Sequence, residues 1–337
     1  MLLWLKGVNY MLYPEFIQPG DVIGICAPSS GVGRKLDLFD LSIETLISKG
    51  YCVEETESVR VNDIRSASAK QRAKELAYLF KNPDIKMVMA ASGGGFLDEI
   101  LPYVDWQTMK KHPKWLLGAS DPTGLLFPYT TLYDVATIYG CNAGSYDDRP
   151  LPKYKKNNLE IISGNLIEQK SFSKCMPKPA WDVEEIKMDT KVYYRSNKEK
   201  IHTKGRCIGG CIDVLKDLIG TPYDGTKNFI KKYKKDGFIW YFDNFSLSAE
   251  VLYRTLLQMK YAGYFENCKA ILIGRTLIES SETGMTYSEA IETALKEYPV
   301  VYQMDIGHTM PAMTLINGAI LNFHYENHKA TLKFQLK

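Results

Sequence analysis

The sequence lacks the usual patterns of a metalloprotein. It contains no Cys-x-x-Cys pair and no His-Glu-x-x-His motif among its five histidines. Closely spaced ligands of this kind are typical of zinc sites, and their absence predicts that the chain binds no metal. Seven cysteines are present, at positions 26, 52, 141, 175, 207, 211 and 268. Their odd number, and the apolar runs around several of them, predict buried thiols in a reducing compartment rather than disulfides.

Long hydrophobic runs and a strong excess of one charge are also missing. The N-terminal stretch 1–11 is apolar but short, contains Lys6 and has no small-residue cleavage site. It therefore predicts neither a signal peptide nor a membrane span. A net charge of +3 is too small to indicate binding to nucleic acid or to an acidic membrane. We expect a cytoplasmic protein that binds neither nucleic acid nor membrane.

The chain of 337 residues is longer than a domain with a single hydrophobic core usually is, which predicts two domains. Residues 18–146 alternate strand and helix patterns, which is typical of an α/β domain with a parallel sheet and ligands at the carboxyl ends of its strands. Residues 147–204 are polar, weakly periodic and punctuated by proline, and we interpret them as a connecting region on the surface. Residues 205–337 predict a second domain of mixed strands and helices, including an apolar strand at 237–242.

The most informative segment, residues 113–124, reads Pro-Lys-Trp-Leu-Leu-Gly-Ala-Ser-Asp-Pro-Thr-Gly. It has the pattern of a buried strand, a sharp turn and a helix with proline in its first turn. Ser120 would stand at the carboxyl end of that strand, beside the free N–H groups of the helix start. Such a turn offers a nucleophile together with donors for an oxyanion. The competing interpretation is that Ser120 and Asp121 merely cap the helix.

Two glycine-rich turns, Ser29–Gly33 and Ser92–Gly95, follow predicted strands. Neither has the G-x-G-x-x-G spacing or the lysine-serine pair of a phosphate-binding loop. A nucleotide-binding α/β enzyme is therefore the weakest of the functional hypotheses. The second turn could instead direct its N–H groups at an oxyanion.

A serine nucleophile needs a base, and His308 is the best placed histidine. It follows the predicted strand Val300–Asp305, and Gly307 leaves room for the imidazole. A histidine at this place can also be purely structural, so the residue alone leaves both roles open.

Taken together and in order, these residues resemble the LD-carboxypeptidases, a serine peptidase family that includes microcin-immunity peptidases. The matching residues are Pro19-Gly20-Asp21, Ala27-Pro28-Ser29, the Gly-Gly turn after Ile85, Asp105-Trp106, Pro113-Lys114, Gly118-x-Ser120-Asp121-x-Thr123, Gly209-Gly210, Gly220-Thr221-Pro222 and Asp305-x-Gly307-His308. The resemblance covers roughly residues 18–325.

The resemblance implies an N-terminal α/β domain, a C-terminal domain of mixed strands and helices, and an active site between them. It maps the serine of a Ser-Glu-His triad to Ser120, the histidine to His308, and the oxyanion donors to the backbone N–H groups of Asp121 and the Gly93-Gly94 turn. It further implies a homodimer without metal or cofactor. The expected substrate is a peptide or peptidoglycan fragment with an amide between an L-centre and a terminal D-residue, or a related peptide-nucleotide amide.

The triad acid is the one departure from the family pattern. When the strand that starts at Gly237 is aligned with the family pattern, Phe242 stands at the position of the triad glutamate. Phenylalanine cannot accept a hydrogen bond from the imidazole N–H. Asp243 follows and could replace the glutamate if a bulge or the end of the strand reorients it, although neighbouring strand residues point to opposite faces. Asp305 is a weaker candidate than Asp243 for the role of the triad acid. The alternative hypothesis is therefore an impaired relative that binds such peptides without turnover. In serine proteases, loss of the orienting acid lowers the turnover rate by about 10⁴-fold.

Overall fold

The computed structural model describes residues 10–176 and 187–337. The predictions for residues 1–9 and for residues 177–186 of the proline-containing connecting region lie outside these ranges. The strands are β1 Val22–Cys26, β2 Cys52–Glu55, β3 Ile85–Ala90, β4 Trp115–Gly118, β5 Thr137–Tyr139, β6 Gln169–Lys170, β7 Lys174–Cys175, β8 Thr190–Lys191, β9 Arg195–Ser196, β10 Lys200–Cys211, β11 Phe238–Asp243, β12 Cys268–Gly274, β13 Val300–Met304, β14 Leu315–Asn317, β15 Ile320–Glu326 and β16 Lys329–Gln335. The α-helices are α1 Leu36–Ser48, α2 Ala69–Lys81, α3 Trp106–Lys111, α4 Thr123–Tyr133, α5 Lys153–Ile162, α6 Ile212–Leu218, α7 Thr226–Tyr233, α8 Ala249–Tyr261 and α9 Tyr287–Ala294.

The first sheet has the order β14-β5-β4-β3-β1-β2. Strands β1 to β5 pair in parallel, while β14 is antiparallel to β5. The almost wholly apolar β3 is buried at every position except Lys86, as expected for a parallel strand with helices on both faces. The predicted parallel α/β fold of the N-terminal part is confirmed. Its strands β3 and β4 end at the two turns that carry Gly93 and Ser120.

The second sheet has the order β6-β16-β15-β10-β11-β12-β13-β9. Strands β10 to β13 are parallel, and the strands outside them are antiparallel. Strand β11 is buried at all six of its positions. The mixed C-terminal fold predicted from the sequence is therefore confirmed. Strands β11 and β13 end at Asp243 and just before His308.

Some segments cross the predicted division at residues 147–204 and 205–337. Helix α5 lies inside the supposed surface connection, yet it buries Tyr154, Leu159 and Ile161. Strand β10 already begins at Lys200, and β14 leaves the C-terminal part to extend the first sheet. These departures arise because pairing with a distant strand, rather than local periodicity, determines where such segments lie.

The two sheets are joined by buried hydrogen bonds near the ends of β10 and β4. The N–H of Cys211 donates to Thr123 Oγ1 at 3.0 Å, and the N–H of Gly209 donates to Asn317 Oδ1 at 3.0 Å. This seam brings together the carboxyl ends of β4 and β11. Among the described helices, none is both long enough and apolar enough to cross a membrane.

Candidate active site

Ser120 occupies a strained turn between β4 and α4. Its φ is 68°, a left-handed conformation that costs a non-glycine residue about 1–3 kcal/mol. Helix α4 has Pro122 at its N-cap, without a side-chain cap hydrogen bond, so the capping interpretation is wrong. The carboxylate of Asp121 accepts instead from the N–H of Leu97 at 3.0 Å and from the hydroxyl of Ser29. The hydroxyl of Ser120 therefore does not serve as the cap of helix α4.

Neighbouring side chains fix this turn from β5 and the loop that follows it. The N–H of Ser120 donates to the hydroxyl of Tyr139 at 3.1 Å, and the N–H of Ala119 donates to Asn142 Oδ1 at 2.9 Å. Sequence reasoning missed Tyr139 and Asn142. Their signal was available, because β5 ends beside β4 in a parallel sheet and its carboxyl end must lie near Ser120.

The glycine turn after β3 lies directly against the serine. A Cβ on Gly93 would lie 2.9 Å from the Cβ of Ser120 and 3.0 Å from its Oγ, so a side chain there would crowd the hydroxyl. A Cβ on Gly94 would collide with the hydroxyls of Ser29 and Ser30. The backbone of the turn can approach Ser120 at Gly93, and Ser29 and Ser30 at Gly94, this closely only because both residues are glycine.

Asp243 and His308 meet at the ends of β11 and β13. Asp243 Oδ2 lies 2.7 Å from His308 Nδ1, and Asp243 Oδ1 accepts the backbone N–H of His308 at 3.1 Å. The ring N–H does not point squarely at the carboxylate, so charge attraction contributes more to this contact than a well-directed hydrogen bond. Tyr139 donates its hydroxyl to Asp243, which links the carboxylate to the turn of Ser120. Gly307, with φ of 91°, leaves the space that Asp243 fills.

The side chain of Phe242 lies elsewhere. It packs against Trp240, with ring centroids 5.8 Å apart, and against Phe265 at 6.2 Å. This follows from the alternation of side chains along a strand, which places Phe242 and Asp243 on opposite faces of β11. The acidic group that reaches the imidazole is thus Asp243, and a reorienting bulge is not needed.

The pKa of His308 reflects two opposing effects. Burial by itself lowers the pKa, because it disfavours the charged ring. The negative charge and contact of Asp243, followed by the charge of Asp213, raise it, and together they hold the pKa of His308 above its ordinary value of 6.5. A base in this position is stabilised in its protonated form, as an imidazolium formed during a reaction would be.

Asp305, the other carboxylate considered, has a different set of partners. Its Oδ1 forms an ion pair with Arg275 Nη1 at 2.6 Å, and its Oδ2 accepts from the N–H of Phe172 at 2.9 Å and from the hydroxyl of Tyr194. Arg275 Nη2 also donates to the carbonyl of Pro311 at 3.2 Å. This buried cluster holds both ends of the loop that carries His308.

One cavity of about 890 Å³ is lined by Ser120, Gly93, Asp243 and His308 together. Apolar side chains form part of its wall, among them Leu38, Phe39, Val61, Ile64, Phe96, Met310 and Met313. Arg34, Lys35 and Lys155 add positive charge, and Lys155 forms ion pairs with Asp147 and Asp148. A partly apolar cavity with a few convergent polar groups is typical of a site for a peptide-sized ligand.

The comparisons with known proteins agree with this architecture. Residues 23–140 match the LD-carboxypeptidase N-terminal domain, and residues 204–323 match the LD-carboxypeptidase C-terminal domain. The Microcin C7 self-immunity protein MccF of Escherichia coli is 25% identical over 345 residues, covering 94% of each chain. One structure of MccF is described as a complex with glutamyl sulfamoyl guanosine.

Two solved structures show the same fold at lower identity. The MccF-like protein from Bacillus anthracis superposes with a TM-score of 0.80 at 23% identity, covering 97% of this chain and 100% of that one. The muramoyltetrapeptide carboxypeptidase from Oxalobacter formigenes gives a TM-score of 0.73 at 21% identity, covering 93% and 98%. With both domains matched in order, the chain belongs to the LD-carboxypeptidase family.

Proposed function

We propose that the protein is a serine peptidase in which Ser120, His308 and Asp243 form the catalytic triad. The observation that carries the proposal is the 2.7 Å contact between Asp243 and His308, in the same cavity as a serine held at a strained strand-to-helix turn. These are the residue types that nucleophilic acyl transfer requires, and they line one cavity.

In the proposed reaction, Ser120 Oγ attacks the carbonyl carbon of the substrate amide while His308 accepts its proton. The N–H groups of Asp121 and of Gly94, with Gly93 beside them, hold the negative oxygen of the tetrahedral intermediate. His308 then returns the proton to the leaving amine, and water releases the acyl group from Ser120 by the same steps in reverse. Asp243 orients the imidazole and stabilises its charged form.

The proposed substrate is a peptide with an amide between an L-centre and a terminal D-residue, such as the tetrapeptide stem of peptidoglycan undergoing recycling. The family supports this class, and the relative from Oxalobacter formigenes is named a muramoyltetrapeptide carboxypeptidase. A peptide-nucleotide amide is the second candidate, favoured by the similarity over the full chain to MccF and by its complex with an aminoacyl nucleoside analogue.

The alternative of a binding protein without turnover depended on Phe242 standing at the position of the triad acid. The contact of Asp243 with His308 supports an active peptidase over that alternative. We further propose a cytoplasmic location, supported by the seven free cysteines, and a homodimer, supported by the family alone. The reaction is proposed to need neither metal nor cofactor.

A panel of matched peptides tests the substrate class. We expect release of the terminal residue from an L,D-tetrapeptide, and little release from the same tetrapeptide ending in an L-residue, because only one configuration presents the amide correctly to Ser120. Mass spectrometry of the products measures both rates. Tight binding of the L,D-peptide with no hydrolysis, by folded protein, would favour the binding protein instead.

A further inference from the structure

The thiol of Cys211 lies beside the proposed base and its orienting acid. The register of β10 on β11 places Cys211 opposite Asp243. The Sγ of Cys211, a carboxylate oxygen of Asp243 and a ring nitrogen of His308 all lie within 4.8 Å of one another. The proposed peptidase mechanism gives Cys211 no role.

We propose that Cys211, Asp243 and His308 form a binding site for a thiophilic divalent cation such as Zn²⁺ or Cd²⁺, and that the cation reversibly inhibits the enzyme. The binding part stands on the cluster alone, whereas the inhibition rests on the proposed function. Thiolate, imidazole and carboxylate are the three protein ligands that zinc takes, and an open fourth position is filled by water. His308 lines the cavity, which supplies both that water and a path of entry.

The spacing of the three groups is close to that of a tetrahedral site. Bond lengths of zinc to sulfur, nitrogen and oxygen place the ligand atoms about 3.3–3.6 Å apart. Because the three atoms already lie within 4.8 Å of one another, changes of up to about 1.5 Å in their separations would complete the site.

The surrounding charges favour a cation. Asp213 Oδ2 lies 3.6 Å from the Sγ of Cys211, and the carboxylate of Asp213 is held by the N–H groups of Phe245 at 2.9 Å and Ser246 at 3.0 Å. Asp213 and Asp243 thus give the cluster a negative field. The hydroxyl of Tyr139 donates to Asp243 and would act as the outer partner that orients a ligating carboxylate.

The bound cation would displace the proton of the Cys211 thiol and occupy one ring nitrogen of the neutral imidazole, whose own proton stays on the other nitrogen. Burial, and then the charges of Asp243 and Asp213, raise the pKa of the Cys211 thiol, so the thiol is protonated in the metal-free protein. With the cation in place, the imidazole can no longer take up the proton of Ser120 and Asp243 can no longer orient it. Hydrolysis stops until a chelator removes the metal.

Binding is tested in the Ser120→Ala variant, which keeps all three ligands and does not depend on turnover. Titration with Cd²⁺ should give one equivalent of a cadmium–thiolate charge-transfer band. Adding Cys211→Ala should abolish the band and weaken binding by about 100-fold or more, since loss of an outer partner alone costs about 10–100-fold. The matched control is Cys141→Ala, because Cys141 lines the same cavity outside the cluster, and it should leave the band unchanged.

A band that survives Cys211→Ala, or no band in the Ser120→Ala protein, overturns the metal site whether or not the enzyme is a peptidase. If Cys211→Ala fails to fold, Ser120→Ala with His308→Ala gives the same test, because removal of the imidazole must also weaken binding. With active enzyme, Zn²⁺ should inhibit hydrolysis of the L,D-peptide and a chelator should restore it. Inhibition that persists undiminished in Cys211→Ala would contradict the inhibitory role.

Discussion

Replacing Ser120 with alanine is expected to lower kcat by about 10⁶, as removal of the nucleophile does in a serine protease. The variant should still hydrolyse the peptide faster than the uncatalysed reaction in water does. This remaining catalysis would come from the oxyanion donors and from substrate binding, which the substitution leaves in place. Hydrolysis of the L,D-tetrapeptide under saturating conditions measures the change. Binding of the substrate should remain, because the loss concerns the transition state rather than the ground state.

The matched control is Ser145→Ala. Ser145 lines the same cavity but lies in the 3₁₀ helix Ala143–Ser145, outside the proposed triad. It should keep kcat within a few-fold of the unmodified protein. The two variants should also melt at similar temperatures, since alanine keeps the Cβ and therefore the backbone strain at position 120. Equal activity of both variants would exclude Ser120 as the nucleophile.

Asp243→Asn is expected to lower kcat by about 10⁴, because the amide leaves the geometry intact but no longer stabilises the imidazolium or selects its tautomer. The pH profile provides a second measurement. His308 must be neutral to act as base, so activity falls as the pH drops through its raised pKa. Removing the charge of Asp243 lowers that pKa, and the acidic limb of kcat against pH should move to lower pH.

Asp243→Glu is the conservative comparison, since it keeps the charge and resembles the acid expected in this family. It should retain more activity than Asp243→Asn. The acidic limb of its kcat–pH profile should stay near the pH at which it lies in the unmodified protein. An Asn variant with undiminished kcat, or an acidic limb that does not move, would show that Asp243 does not act on His308.

Much of the fold could be predicted because its strands are short apolar runs separated by helices. The apolar runs at 85–91 and 237–242 predict, from their local pattern alone, one inner strand of each sheet. Strand β14 could not be found this way, because its position is determined by pairing with β5 and not by its own residues.

The site was predictable to the extent that its residues follow strands. Ser120 and His308 were found because each comes after an apolar run at a sharp turn. Asp243 remained ambiguous because its role depends on which face of β11 it occupies, and a shift of one residue exchanges the faces. The end of β5 could have placed Tyr139 near Ser120, but its contact with Asp243 crosses the seam between the two sheets, and no spacing in the sequence reveals that contact.

The most direct test of the account is labelling with a fluorophosphonate, which forms a covalent bond only with an activated serine. Intact-mass and peptide analysis should show one adduct per chain, on Ser120, and His308→Ala should abolish it while the protein stays folded. An adduct on another residue, or labelling of Ser120 that is indifferent to the loss of His308, would contradict the claim that these two side chains work together.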